Sequence, residues 1–377
     1  MDVNKPLELL GGLSPAAFMR RHWQKKPLLV RQAWPGVQPP LTRAALFALA
    51  GRDDVESRLV QQRGDRWQLR QGPLPRRALP ALRRSGWTLL VQGLDLQVPA
   101  ANQMLSRFRF VPDARLDDLM VSWASDGGGV GPHIDSYDVF LLQVQGRRQW
   151  RIGRAADTLC VEGAPLKILR HFKPEQEWLL EPGDMLYLPP GWAHDGIARG
   201  GDCMTCSVGF RAPSAKALAA ELLHRVADEA EDEAAERGAI YRDARQSATA
   251  TPAALPEGLQ AFARLAVQRL LAQPGELDKA LGEVLSEPKP SVWFQAGAPR
   301  RPLADLRLAA ATRMLYDPRH LFINGESFLT TGRDATLMRR LADSRRLSAA
   351  EVARLSPGAS ALLGDWQDNG WVLADSP

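Results

Sequence analysis

Between about residue 116 and residue 212 the chain carries a succession of short runs that favour the extended conformation: Leu119 to Ala124, Val139 to Val144, Gln149 to Ile152, Asp184 to Leu188 and Met204 to Phe210. Turn-forming residues separate them, and a string of short strands of this kind closes into a barrel or stacks as a sandwich. No other stretch of the 377 residues restricts the fold as tightly.

The flanks read differently. Residues 1 to about 110 alternate short helical patterns with loops rich in proline, glycine and arginine, a front section that wraps something else. Within it Ser14-Pro15 marks a helix start, the serine as N-cap and the proline in the first turn. After Pro213, Ser214 to Arg237 and about Leu259 to Leu285 have helical spacing, with Leu218, Leu222 and Val226 on one face. From about 291 the order is helix at Ala335 to Ala342, helix at Ser348 to Leu355, helix at Ala359 to Gln367 and a strand at Gly370-Trp-Val-Leu, the pattern of a winged-helix module. Its second helix is only weakly basic, so direct nucleic-acid binding is not expected.

The chemistry concentrates in the β region. In an extended segment His133 and Asp135 project from the same face, and one further ligand would complete a facial triad. Of the six histidines, His194 has the strongest context. Glu181-Pro-Gly-Asp-Met-Leu-Tyr-Leu-Pro-Pro-Gly-Trp-Ala-His194 reads as a turn, an apolar strand and a Pro-Gly bend that presents the histidine at its far end. His22, His171, His224 and His320 read as structural. Gly183 to His194 matches G-x₅-P-x-G-x₂-H, the second motif of the cupin barrels, although the asparagine often found four positions further on is Ala198 here. Together with His133-x-Asp135 it resembles the double-stranded β-helix of JmjC-type oxygenases. Two histidines and a carboxylate hold one face of an iron(II) ion and leave positions open for cosubstrate and oxygen.

Alternation along Arg147 to Ile152, placed as the strand following a Gln145-Gly146 turn, puts Arg148 on the same side as Trp150 and Ile152, facing inward. A buried guanidinium needs an anion, and its planar fork suits a carboxylate. The distal carboxylate of 2-oxoglutarate would supply it, and Ser122 is a second candidate for the cosubstrate. Asp118, Met120 and Ser122 alternate on one strand face, and Tyr137 follows Asp135 by two residues. A carboxylate, a thioether and an aromatic wall suit a long cationic side chain, and Ser207 in the last strand is a further candidate contact. The glycines from Gly127 make a tight approach to the first ligand. They are not a phosphate loop, because no Gly-Lys-Ser/Thr follows.

Phe18 to Val30, Asp117 to Ser122, Gly127 to Trp150 and Gly183 to His194 resemble the bacterial ribosomal oxygenases, and the order of segments is similar over essentially the whole chain. The resemblance implies a mixed α and β protein: a JmjC catalytic region at 1–212 with its barrel core at about 115–212, a helical dimerisation domain at 213–290 and a winged-helix-like domain at 291–377. It also implies hydroxylation of C3 of an arginine in large-subunit ribosomal protein sixteen, coupled to 2-oxoglutarate decarboxylation and consuming O2, by a homodimer. Hydroxylation of a histidine or another residue, and a nucleic-acid-binding regulator with a cupin sensor, are the competing readings.

Composition sets the remaining bounds. Three cysteines, Cys160, Cys203 and Cys206, are too few for a disulfide framework, and the Cys203-x-x-Cys206 pair has no second pair to complete a zinc site. A reducing compartment, no membrane association and no secretory leader are expected, hence the cytoplasm. The net charge of +5, with arginine far exceeding lysine, fits a polyanionic or ribonucleoprotein neighbourhood.

Overall fold

The structure is a computed structural model and describes residues 2–64, 66–155, 157–233, 240–295 and 305–374. The chain divides into two compact units, Met1–Ala212 and Pro213–Pro377.

In the first unit, helices α1 (Pro15–Arg21), α2 (Arg43–Leu49), α3 (Leu94–Gln97) and α4 (Pro99–Ser106) accompany ten strands. These are β1 (Leu28–Val30), β2 (Ser57–Arg63), β3 (Arg66–Gln71), β4 (Trp87–Val91), β5 (Leu116–Ala124), β6 (His133–Ile134), β7 (Val139–Arg154), β8 (Gln176–Leu180), β9 (Met185–Leu188) and β10 (Trp192–Phe210). All pair antiparallel in the order β1-β9-β7-β10-β5-β4-β2-β3, with β6 on β10 and β8 on β7. Ser14 caps α1 by accepting from the Ala17 amide at 3.2 Å, with Pro15 at the first helical position.

The front section does more than wrap. It supplies β1 to β4, strands that the loop-and-helix reading did not foresee; in β2 and β3 arginine and glutamine fill the solvent side and mask the apolar alternation. The other side is well buried: Leu59 on β2 and Trp87, Leu89 and Val91 on β4 enter the main core.

A second correction concerns Gln145-Gly146. The expected turn is a bend inside β7, which runs unbroken for 16 residues beside the 19-residue β10, from Trp192↔Arg154 to Gly209↔Val139. Gly146 has φ +64°, and a Cβ there would lie 2.9 Å from the Asp202 carbonyl oxygen, where the register shifts between Arg199 and Met204. The glycine thus absorbs a bulge and bends the ribbon without reversing it.

Two apolar layers flank this ribbon, so both faces of β7 are buried over residues 139–144. Phe140, Leu142 and Val144 join Phe18, Phe108, Tyr187 and Phe210 in the main core, and Val139, Leu141, Trp150 and Ile152 join Leu180, Leu186, Leu188 and Trp192 in an inner cluster. Each large side chain so buried contributes about 1.5–3 kcal/mol. Cys203 and Cys206 are buried on opposite faces of β10, and burial pushes the Cys206 thiol up to about 12.

The second unit holds α5 (Ala215–Glu233), α6 (Glu257–Leu271), α7 (Glu276–Ser286), β11 (Leu306–Leu308), β12 (Met314–Tyr316), β13 (His320–Ile323), β14 (Glu326–Leu329), α8 (Gly332–Ser344), β15 (Arg346–Leu347), α9 (Ala349–Val352), α10 (Pro357–Asp368) and β16 (Val372–Ala374). Residues 234–237 of the expected first helix lie outside the described residues. The single helical pattern expected over 259–285 is broken at Gln273-Pro274-Gly275, where Gly275 takes φ +89° before α7. Strand β11 lies between β15 and β16, and β12-β13-β14 form a meander. Gly282 on α7 lets that helix sit against the Phe322 ring of β13, since a Cβ there would come within 2.2 Å of it. Among the described residues no helix is long and apolar enough to cross a membrane.

Candidate metal centre

His133 opens β6, and His194 faces it across the β6–β10 pair. Asp135 follows β6, anchored where its carbonyl accepts from the Gly191 amide at 3.0 Å. Among the described residues these three form the group that could hold a metal ion, their donor atoms all within 4.8 Å of one another. Asp135 Oδ1 is 4.0 Å from His133 Nε2, and its Oδ2 is 3.5 Å from His194 Nε2.

The donor set is prepared electronically as well. His133 Nδ1 lies 2.8 Å from the Gly131 carbonyl oxygen and His194 Nδ1 lies 3.0 Å from that of Trp192. A carbonyl oxygen only accepts, so each Nδ1 carries the hydrogen and each Nε2 presents a lone pair toward the shared centre. Burial, and then the facing His133, hold His194 down at about 4, so it stays neutral near pH 7. Two imidazoles and one carboxylate fit a divalent first-row metal. The other described histidines have local roles or none at a centre: His22 stacks on Phe18, His171 pairs with Asp157, His320 with Asp317, and His224 is exposed on α5.

The glycine run brings the ligand-bearing segment against β10. A Cβ on Gly129 would lie 2.6 Å from the Gly196 carbonyl oxygen, and one on Gly131 would lie 2.8 Å from the Trp67 ring. Gly129→Ala is therefore expected to force the segment before His133 away from β10 and weaken metal binding about 10–100-fold, the range for disturbed ligand support. Anaerobic metal titration measures it, and an unchanged affinity would show that the backbone tolerates the shift.

Arg148 is 3% exposed, and among the described residues its Nε and Nη2 have no hydrogen-bond partner. It pairs with Ala198 on β10 and Leu180 on β8, two inward positions along the ribbon from His194. Between them stands Trp150, whose ring centroid is 5.9 Å from that of His194 and 5.8 Å from the Arg148 guanidinium carbon. Trp150 Nε1 also lacks a partner among the described residues. Sequence reasoning read Trp150 as bulk on the inward side and missed it as a wall of the site. The signal was its place midway between an anion anchor and the partner of a ligand on the next strand. Gly196 makes room for that ring, since a Cβ there would fall 2.6 Å from it.

Ser122 is buried on β5 between Leu90 and Thr205, and Ser207 pairs with Met120. Asp118, 6% exposed, accepts from the Gly93 amide at 3.1 Å. Asp118 Oδ1 and the Tyr137 ring flank Gly209, about equidistant from where its Cβ would stand (3.9 and 4.0 Å). Burial, then the Asp135 charge, raises the Tyr137 hydroxyl, which keeps it protonated. Asp118, Met120, Ser122, Tyr137 and Ser207 thus share one side of the barrel, and Arg58, whose charge reaches Tyr137, adds a group the sequence reading did not include.

A model of the JmjC domain matches residues 103–218 and one of the ROXA-like winged helix matches 269–372. The chain is 35% identical to the ribosomal protein uL16 3-hydroxylase of Escherichia coli over 274 residues, 72% of this chain and 70% of that protein. It is 38% identical to a probable ribosomal oxygenase of Haemophilus influenzae over 207 residues, 54% of this chain and 50% of that one. The structure is similar to the crystal structure of E. coli YcfD, with a TM-score of 0.82 and 30% identity over 94% of this chain and 96% of that one. It is also similar to YcfD, a ribosomal oxygenase, in complex with cobalt and 2-oxoglutarate, with a TM-score of 0.80 and 30% identity over 96% and 98% of the two chains. From the histidine–aspartate–histidine cluster to the winged helix, this chain belongs to the family of JmjC ribosomal oxygenases.

Proposed function

We propose that the protein is an iron(II)- and 2-oxoglutarate-dependent dioxygenase that hydroxylates C3 of an arginine in large-subunit ribosomal protein uL16. The observation that carries the reading is a buried arginine with two unpartnered donors two inward positions from a cluster of three metal-type ligands. The relatives support it by name, one as a uL16 3-hydroxylase and one bound to cobalt and 2-oxoglutarate.

His133, Asp135 and His194 would hold the metal, which when bound supplies oxygen activation coupled to oxidation of the 2-oxo acid. Arg148 neutralises and orients the distal carboxylate of the cosubstrate, with Ser122 as a further donor, and Trp150 walls the space between anchor and metal. Asp118 receives the substrate guanidinium, Tyr137 and Met120 hold its aliphatic stem, and Ser207 offers a hydrogen bond. The apolar inner cluster behind Trp150 keeps water from the reacting side chain. Residues 213–290 would pair two copies through the exposed apolar side chains of α5 and α6, such as Leu223, Leu265 and Val267, leaving 291–377 as the winged-helix part. The cytoplasm, where ribosomal proteins are made, is the expected site of action.

The test is incubation of the full chain with iron(II), 2-oxoglutarate, oxygen and a uL16 peptide. One added oxygen atom on an arginine, seen by mass spectrometry, is expected, and a peptide with histidine in that place should stay unmodified. Asp118→Asn is expected to raise the peptide KM about ten- to a hundredfold through loss of a charge-assisted hydrogen bond, with peptide-independent 2-oxoglutarate turnover unchanged. Oxidation of the histidine peptide instead would overturn the choice of substrate.

A further inference from the structure

Residues 57–87 contain eight arginines and a single acid, Asp65. The β2–β3 hairpin and the segment after it display this charge on the surface: Arg63, Arg66, Arg76, Arg77, Arg83 and Arg84 are all exposed. Arg63 and Arg66 are cross-strand partners, and the segment carrying Arg83 and Arg84 returns to the hairpin where the Gln62 amide donates to the Gly86 carbonyl at 2.8 Å. Among the described residues none of the six forms an ion pair, whereas nearby Arg43 and Arg52 are engaged by Asp202 and Asp54. Like charges gathered on one surface with no ion-pair partner among the described residues repel, so the arrangement favours a polyanionic ligand.

Beside these arginines lies a cleft of about 550 Å³ whose apolar walls are Ala44, Phe47, Ala48 and Leu82. The Arg76 guanidinium stands at its rim, 5.6 Å above the Phe47 ring, and Leu82 is exposed. An apolar slot beside a planar guanidinium suits an unstacked base, and a row of arginines beside it suits the adjoining phosphates. The hairpin also adjoins the metal centre: Trp67 on β3 packs against Gly131, whose carbonyl holds His133.

We propose that this surface binds single-stranded RNA, with one base in the cleft beside Arg76 and phosphates on Arg77, Arg83 and Arg84. The expectation of no direct nucleic-acid contact came from the weakly basic helix of the winged-helix region and does not bear on this surface. An anionic membrane is the less fitting polyanion, because the apolar part of the surface is a cleft and a bilayer needs a protruding apolar face. The inference is independent of the hydroxylase reading, since RNA binding is measured without turnover.

The experiment is fluorescence anisotropy of the full chain with a labelled single-stranded RNA of about 16 nucleotides, from about 50 to 200 mM salt. Competitors are duplex DNA and vesicles containing phosphatidylglycerol. The wild type should bind the RNA in a salt-sensitive manner and more tightly than either competitor. The variant carrying Arg77→Glu, Arg83→Glu and Arg84→Glu should bind at least about tenfold more weakly, its salt slope reduced by about 2. Its peptide hydroxylation and melting temperature should equal those of the wild type, which separates lost binding from lost folding. Leu82→Asp, which places a negative charge in the cleft, should remove the preference for single strands over duplex. No salt-sensitive RNA binding by the wild type, unchanged binding by the triple variant, or equal binding of duplex DNA or vesicles would each overturn the proposal.

Discussion

His194→Ala is expected to abolish hydroxylation and to reduce metal affinity by about a thousandfold. The side chain is 3% exposed and supplies one of three donors, its Nδ1 hydrogen already committed to the Trp192 carbonyl. Removing a donor that contributes several kcal/mol leaves two ligands, and a loss of about 4 kcal/mol corresponds to three orders of magnitude. The fold should survive, because the imidazole is neutral and no buried charge loses its partner. Anaerobic titration with iron(II) or cobalt(II), followed by single-turnover mass spectrometry of the peptide, gives both quantities. Retention of activity within tenfold of wild type would move the centre elsewhere.

The second large effect has two opposite signs. Arg148→Leu should weaken 2-oxoglutarate binding about 10²–10³-fold, since losing one partner of a buried charged pair costs about 2–5 kcal/mol. The same substitution should raise the melting temperature of the cosubstrate-free protein, because it removes a buried cation whose Nε and Nη2 have no acceptor among the described residues. A stability gain coupled to a binding loss marks a residue kept for its ligand and not for the fold. Calorimetric titration and thermal melts on one preparation measure the two together. Lower stability with unaltered cosubstrate binding would assign Arg148 to packing against Trp150 alone.

The sequence shows these residues because they obey local rules. His133 and Asp135 are two apart on an extended segment, His194 follows a Pro-Gly bend, and Arg148 alternates with Trp150 and Ile152. Period and turn chemistry suffice to read them. What escaped is set by contacts remote in sequence. Strands β2 to β4 exist because Leu59, Leu89 and Val91 find a core built by helices and strands on either side of them, and the arginine-rich outer face of β2 and β3 hides the pattern. The bend at Gly146 reads as a turn until Asp202, far along the chain, is seen to close on it, its carbonyl oxygen 2.9 Å from where a Cβ on Gly146 would stand. The break at Gly275 was legible in Pro274-Gly275 but was outweighed by the apolar spacing on either side. Trp150 gains its place in the site only through the register of β7 against β10, which no local pattern specifies.

That register has a consequence for how the site comes into being. His194 stands opposite Ile152, Gly196 opposite Trp150 and Ala198 opposite Arg148, on two strands that stay in step from one end of the ribbon to the other apart from the bulge. A slip of β7 by one residue would turn Arg148 and Trp150 away from the side that carries His194. Metal ligand, indole wall and anion anchor therefore become correct in a single event, the zipping of one long hydrogen-bonded ladder. His133 and Asp135, on β6 and just beyond it, then complete the metal centre against His194.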